Sequence, residues 1–149
     1  MSKEETIFVP SAITRRGFFF VAACATVPFA GACARMSYVQ GRLDGGRVVV
    51  AKADLGTESF ALVDVPGLNF PVYVHRHGAD EYTAVLTRCM HRGCTVEPTD
   101  GRLVCPCHGS EYTAAGAVLK GPTQRPLITY PVTTDAEHIY IDGAVGAAR

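Results

Sequence analysis

The chain has 149 residues, with 14 Lys+Arg against 14 Asp+Glu, 48% apolar residues and 19% charged ones. That length suits one domain with a short appendage, and balanced charge gives no electrostatic case for a nucleic-acid partner or an acidic substrate. The 15 Gly, the 9 Pro and the absence of Trp favour turns and short strands over long helices.

The appendage comes first. Arg15 and Arg16 precede an apolar run from Phe18 to Ala34, with Gly17 between. A basic pair, a short apolar stretch and small residues at its end make a secretory signal. The order Thr-Arg-Arg-Gly-Phe-Phe resembles a twin-arginine signal, a receptor-read address rather than an anchor in itself. The run is 17 residues long and contains Pro28, the lower edge of the ~17–25 that cross a bilayer. A removable signal over 1–34 is the expectation, with a spanning signal-anchor as the alternative. Ala30-Gly31-Ala32 is an A-x-A cleavage site, and the same residues resemble a lipoprotein box in which Cys33 would be lipidated. Residues 35–46, partly Gly-rich, are expected to be a short linker, and 47–149 a folded domain.

Within that domain, β-rich runs are predicted at Arg47–Ala51, Phe60–Val65, Phe70–His75, Tyr82–Thr87, Ile128–Thr133 and His138–Asp142. Asp100-Gly101 is a strong hairpin signal. No stretch after the signal sustains a 3.6-residue period, so the domain is expected to be all-β and antiparallel.

The chemistry is concentrated in "RCMHRGCTVEPTDGRLVCPCHGSEY", Arg88 to Tyr112, which carries four cysteines and two histidines. Its spacing is C-x-H-x2-C, ten residues, then C-x-C-H. Cys24 and Cys33 belong to the export segment, which leaves Cys89, Cys94, Cys105 and Cys107 to the domain. An exported domain meets an oxidising compartment. Two disulfides, a zinc site with two cysteines left over, and an iron–sulfur centre are all open on the spacing alone. His75, His77 and His138 have no cysteine neighbour and are expected to be ordinary histidines.

"CMHRGC" and "CPCHGS" resemble the two cluster-binding loops of Rieske [2Fe–2S] proteins, and "GAVLKGPTQRPLITYPV" resembles the segment after the second loop in that family. The resemblance covers roughly Val63 to Ile141. It implies a small cluster-binding subdomain inserted in the β domain and one [2Fe–2S] cluster. It also implies that Cys89 and Cys105 bind one iron, that His91 and His108 bind the other, and that Cys94 and Cys107 form a disulfide between the loops. Ser110 and Tyr112 occupy the places where high-potential members carry a hydroxyl to a bridging sulfide and a phenol to a ligand cysteine. Gly121, Pro122 and Pro126 would form a rigid loop covering the cluster.

Two neutral imidazoles in place of two thiolates make a cluster less negative and easier to reduce. For this ligand type in general, potentials span roughly −150 to +300 mV, against about −400 mV for all-cysteine plant-type centres. Histidine ligands also titrate, which couples electron to proton transfer. Quinol-oxidising members carry Leu after the first ligand histidine, where this chain has Arg92. The resemblance therefore implies an exported, membrane-associated electron-transfer subunit of a quinol:cytochrome c oxidoreductase-like complex, with a cytochrome or other redox protein as partner and quinol as a candidate second one, against which Arg92 counts. The alternatives are the Rieske small subunit of an arsenite-oxidase-like exported oxidase, favoured by Arg92, and a zinc- or disulfide-stabilised binding module without redox chemistry. The outer face of the cytoplasmic membrane is the expected location.

Overall fold

The computed structural model describes Met36 and residues 38–146. The export signal read at 1–34, with Arg15, Arg16 and Cys33, lies outside the described residues.

Thirteen strands and one helical turn follow in chain order: β1 Tyr38–Gln40, β2 Arg42–Asp44, β3 Arg47–Ala51, α1 Lys52–Leu55, β4 Phe60–Asp64, β5 Val72–Arg76, β6 Tyr82–Leu86, β7 Glu97–Thr99, β8 Arg102–Val104, β9 Glu111–Thr113, β10 Val118–Lys120, β11 Thr129–Tyr130, β12 Val132–Thr134 and β13 His138–Ile141. They form three sheets, ordered β1-β4-β5-β6-β11, β12-β13-β3-β2 and β10-β9-β8-β7. The fold is all-β, as the runs of β-branched and aromatic residues imply. Every pairing is antiparallel except β1 with β4, which is parallel.

The first sheet is buried on both faces, which explains why β4 to β6 read as nearly continuous apolar runs. Side chains alternate across a strand, so Ala61, Val63, Val72, Val74, Ala84 and Leu86 pack into one core with Val48, Val50, Ile139 and Ile141. Leu62, Tyr73 and Val85 point the other way, into a second core with Cys89, Val96, Leu103, Cys105, Tyr112 and Leu127. One sheet thus serves as the wall between a base built of aliphatic residues and a smaller region that holds Cys89 and Cys105.

Two sequence expectations are corrected. The 35–46 segment read as linker contains β1 and β2, because Gly41 donates its N–H to Asp64 O at 2.8 Å and lets the chain add to two sheets in succession. Its strands are three residues each, too short for an alternation to mark them. The run Ile128–Thr133 is two strands in two sheets, β11 and β12, separated by Pro131, which cannot donate to a ladder. The three-residue strands β7 to β10 are likewise too short to show a period. Their turn was legible, since Asp100 and Gly101 both have positive φ, +47° and +76°, as a two-residue hairpin loop requires.

Candidate metal centre

The two Cys/His segments are loops at the ends of short antiparallel pairings. The first lies between β6 and β7 and is closed by the Arg88–Thr95 bridge. The second joins β8 to β9. Their backbones follow one pattern. Cys89 N–H donates to Cys94 O at 2.8 Å and Gly93 N–H to Cys89 O at 2.8 Å; Cys105 N–H donates to Ser110 O at 2.8 Å and Gly109 N–H to Cys105 O at 2.9 Å. In both loops the residue four places after the leading cysteine is a glycine with positive φ, +77° at Gly93 and +72° at Gly109, where a Cβ is disfavoured. Six residues that begin with Cys and carry Gly at the fifth place are thus a local turn, repeated.

This repetition faces the two leading thiols toward each other. Cys89 and Cys105 are 2% and 1% exposed, and each thiol influences the ionisation of the other. Burial opposes the thiolate at Cys89. The Tyr112 hydroxyl, the N–H groups of His91 and Arg92 and the Cys105 thiol outweigh it and lower its pKa. At Cys105, burial and the Cys89 thiol prevail over the N–H groups of Cys107 and His108, and the pKa is raised. Each sulfur faces two backbone N–H donors that would stabilise a metal-bound thiolate.

The histidines lie on the outer side. His91 and His108 are exposed, with ring centroids 4.7 Å apart and planes at 86°. The remaining cysteines, Cys94 and Cys107, are joined in a disulfide with Cα atoms 6.6 Å apart, which ties one loop to the other. Cys94, Cys105 and Cys107 place their sulfurs within 4.8 Å of one another. That proximity is not a ligand set, because two of the three sulfurs are consumed in the disulfide.

Ser110 and Tyr112 are fully buried on β9 and the loop before it. The Tyr112 hydroxyl lies 3.3 Å from Cys89 Sγ and accepts the Met90 N–H at 3.3 Å, which leaves its own proton for the sulfur. Burial first, then the Cys89 contact, raises its pKa, so the phenol keeps that proton. Ser110 Oγ accepts the Thr123 N–H at 3.3 Å, which frees its proton for another acceptor. Gly121, Pro122 and Pro126 lie exposed in the following loop. That loop is fastened by residues the sequence did not single out. Thr123 is buried beneath it and bonded to Ser110, and Arg125 Nη2 donates to Met90 O at 3.0 Å. Only their place between the two prolines hinted at a role. Arg92 is exposed and lines an open cavity of about 290 Å³ with Arg88, Cys89, Met90, His91, Gly93 and Arg125. Elsewhere, His75 stacks on Tyr73 and meets His77 edge-to-face, on and beside β5, and His138 begins β13.

The donor set fits a two-iron cluster better than a single zinc. Two ligands of one zinc lie at most about 4.6 Å apart. Among the described residues, three ligand atoms within 4.8 Å of one another occur at Cys94, Cys105 and Cys107, not within the set of Cys89, His91, Cys105 and His108. Two soft thiols below and two imidazoles above suit iron that is itself spread over two atoms.

Known proteins agree. The family model described as "Rieske [2Fe-2S] domain" matches residues 46–131. The chain is 39% identical over 75 residues to the "Cytochrome b6-f complex iron-sulfur subunit 2" of Nostoc sp., covering 48% of this chain and 42% of that subunit. It is 36% identical over 75 residues to the "Cytochrome b6-f complex iron-sulfur subunit" of Chlorobaculum thiosulfatiphilum, covering 49% and 40%. The chain thus spans about two fifths of the length of the curated relatives it matches. Among solved structures, the cyanobacterial plasma membrane Rieske protein PetC3 from Synechocystis PCC 6803 superposes with a TM-score of 0.54 at 35% identity, over 62% of this chain and 95% of that one. A chain from the complex of oxygenase and ferredoxin in carbazole 1,9a-dioxygenase shares the fold alone, with a TM-score of 0.53 at 22% identity over 67% and 95%. From its two Cys/His loops to the family match over 46–131, the chain belongs to the Rieske [2Fe-2S] domain family, whose cofactor is one [2Fe–2S] cluster.

Proposed function

We propose that this protein is an exported, membrane-associated one-electron carrier, the iron–sulfur subunit of a quinol:cytochrome c oxidoreductase-like complex. The observation that carries the reading is the pairing of two buried thiols with two exposed imidazoles across matched loops. Cys89 and Cys105 would hold one iron, and His91 and His108 the other. When bound there, the cluster supplies a one-electron couple.

The protein's own groups do the rest. The N–H groups of His91, Arg92, Cys107 and His108 and the Tyr112 hydroxyl bear on the ligand sulfurs. Such donors stabilise the more negative reduced state and raise the potential. Ser110, with its oxygen engaged by the Thr123 N–H, would have its proton free to donate to the bound cluster. The exposed edges of His91 and His108 give a partner its contact, and the Cys94–Cys107 bridge with the Thr123 and Arg125 bonds holds both loops and the cover segment as one rigid piece.

Export follows from Arg15, Arg16 and the apolar run to Ala34, placing the domain on the outer face of the cytoplasmic membrane, tethered by an uncleaved segment or a lipid on Cys33. The domain itself begins by Tyr38, so the tether is short. A second reading, the Rieske small subunit of an arsenite-oxidase-like enzyme, draws on Arg92. An exposed arginine stands next to a ligand histidine, where an apolar residue would suit quinol.

A redox titration followed by EPR at several pH values tests the reading. A Rieske-type signal at positive potential that falls as pH rises is expected. A negative potential overturns the quinol-side placement, and zinc in place of iron on metal analysis overturns electron transfer.

A further inference from the structure

Charge is unevenly placed on this domain. Over residues 38–146, nine Lys and Arg face twelve Asp and Glu. Three of the nine, Arg88, Arg92 and Arg125, belong to the three segments gathered at the tip (88–95, 105–110 and 121–126), which contain no Asp or Glu. The rest of the domain is left with six cations against the same twelve acids. The net neutrality of the whole chain conceals a basic tip on an acidic body.

The three arginines also converge. All are exposed, and all line the cavity of about 290 Å³ beside His91. Arg125 is positioned by its bond to Met90 O, and Arg88 by the Phe70 ring, 6.0 Å from its guanidinium carbon. Among the described residues none of the three forms an ion pair, whereas Arg47, Lys52, Arg102 and Lys120 of the body each do. Guanidinium groups without an acidic partner around one opening suit a carboxylate, which arginine binds in bidentate fashion.

We propose that this arginine rim docks an acidic electron-transfer protein, one that surrounds its own redox group with carboxylates and seats one of them in the cavity beside His91. The inference rests on the electron-transfer reading above and names the partner's chemistry. The acidic body repels such a partner from the other faces, and the basic tip attracts it, so the encounter is oriented with the histidine edges foremost. Steering of this kind raises association rates and is screened by salt, with a Debye length of about 10 Å at 0.1 M.

The test uses the cluster-loaded protein, reduced with ascorbate and mixed in stopped flow with an acidic and, separately, a basic cytochrome c. The acidic cytochrome is expected to react faster at low salt, with a rate that falls on the order of tenfold by ~0.5 M salt. Arg92→Glu is expected to lower the low-salt rate about tenfold. Arg42→Glu, the same charge change on exposed Arg42 of the base sheet, should leave the rate within about twofold, since a local effect fades beyond a Debye length. Equal or faster reaction of the basic cytochrome, a rate indifferent to salt, or equal losses in the two variants overturns the inference. So does binding to anionic phospholipid vesicles without preference between the cytochromes, which would assign the rim to a membrane surface. EPR of each sample separates the two failures: a missing cluster signal defeats the electron-transfer reading, while an intact signal with the wrong partner preference defeats only the docking inference.

Discussion

The base and the tip of this domain are held together by different physics. The base is a stack of aliphatic side chains, with Val48, Val50, Val63, Val72, Val74, Ile139 and Ile141 at 1% exposure or less. Any residues of similar volume and pattern would serve there. The tip buries sulfur, hydroxyl and phenol groups in a smaller core, and depends on one disulfide and a few directed hydrogen bonds. Few residues of the tip can be exchanged without loss. The shared wall, β4 to β6, contributes to both cores and keeps them apart.

That contrast can be broken at its extremes. Cys105→Ser should abolish the cluster EPR signal altogether, while far-UV circular dichroism still reports a folded base. Loss of both would show that the base depends on the tip. Ile139→Ala removes a fully buried side chain from the base and should cost ~2–5 kcal/mol in denaturant unfolding with no change in midpoint potential. A shifted potential would mean that the two cores are mechanically coupled.

Cys94→Ser, which opens a bridge across 13 residues, should cost ~2–5 kcal/mol, read chiefly as faster cluster release. Full cluster retention would remove the bridge from the account of the tip. Tyr112→Phe sharpens the contrast further. Loss of one donor to Cys89 Sγ, worth about 1 kcal/mol, should lower the potential by ~40 mV in a one-electron couple, with little change in base stability.

The smallest effect belongs to the base. Asp135 accepts hydrogen bonds from the Tyr140 hydroxyl and from the N–H groups of Glu137 and His138, which hold its pKa down to about 2 from 3.8. Because the folded value is the lower one, this contribution is present above the unfolded pKa and is lost as pH falls from 3.8 toward 2. Asp135→Asn should flatten the acid limb of the melting-temperature profile over that window and leave the cluster signal unchanged.

Much of this was legible in the sequence because the signals are local. The resemblance that suggested the ligands rests on short motifs, and CMHRGC and CPCHGS each fold as a self-contained turn whose glycine lies four places from its cysteine. The strands β3 to β6 announced themselves through apolar runs, and Asp100-Gly101 through the backbone its turn demands. Tertiary structure alone decided the rest. β1 became a strand because a distant edge, β4, had groups to pair with it. Pro131 divided one apparent strand between two sheets. Thr123 and Arg125 acquired partners, Ser110 and Met90, that lie 13 and 35 residues away in the chain. Whether three arginines scattered from 88 to 125 form one rim or three unrelated charges depended on which loops the sheets bring to one end. Spacing along a chain specifies contacts within a turn, and only sheet register specifies contacts between turns.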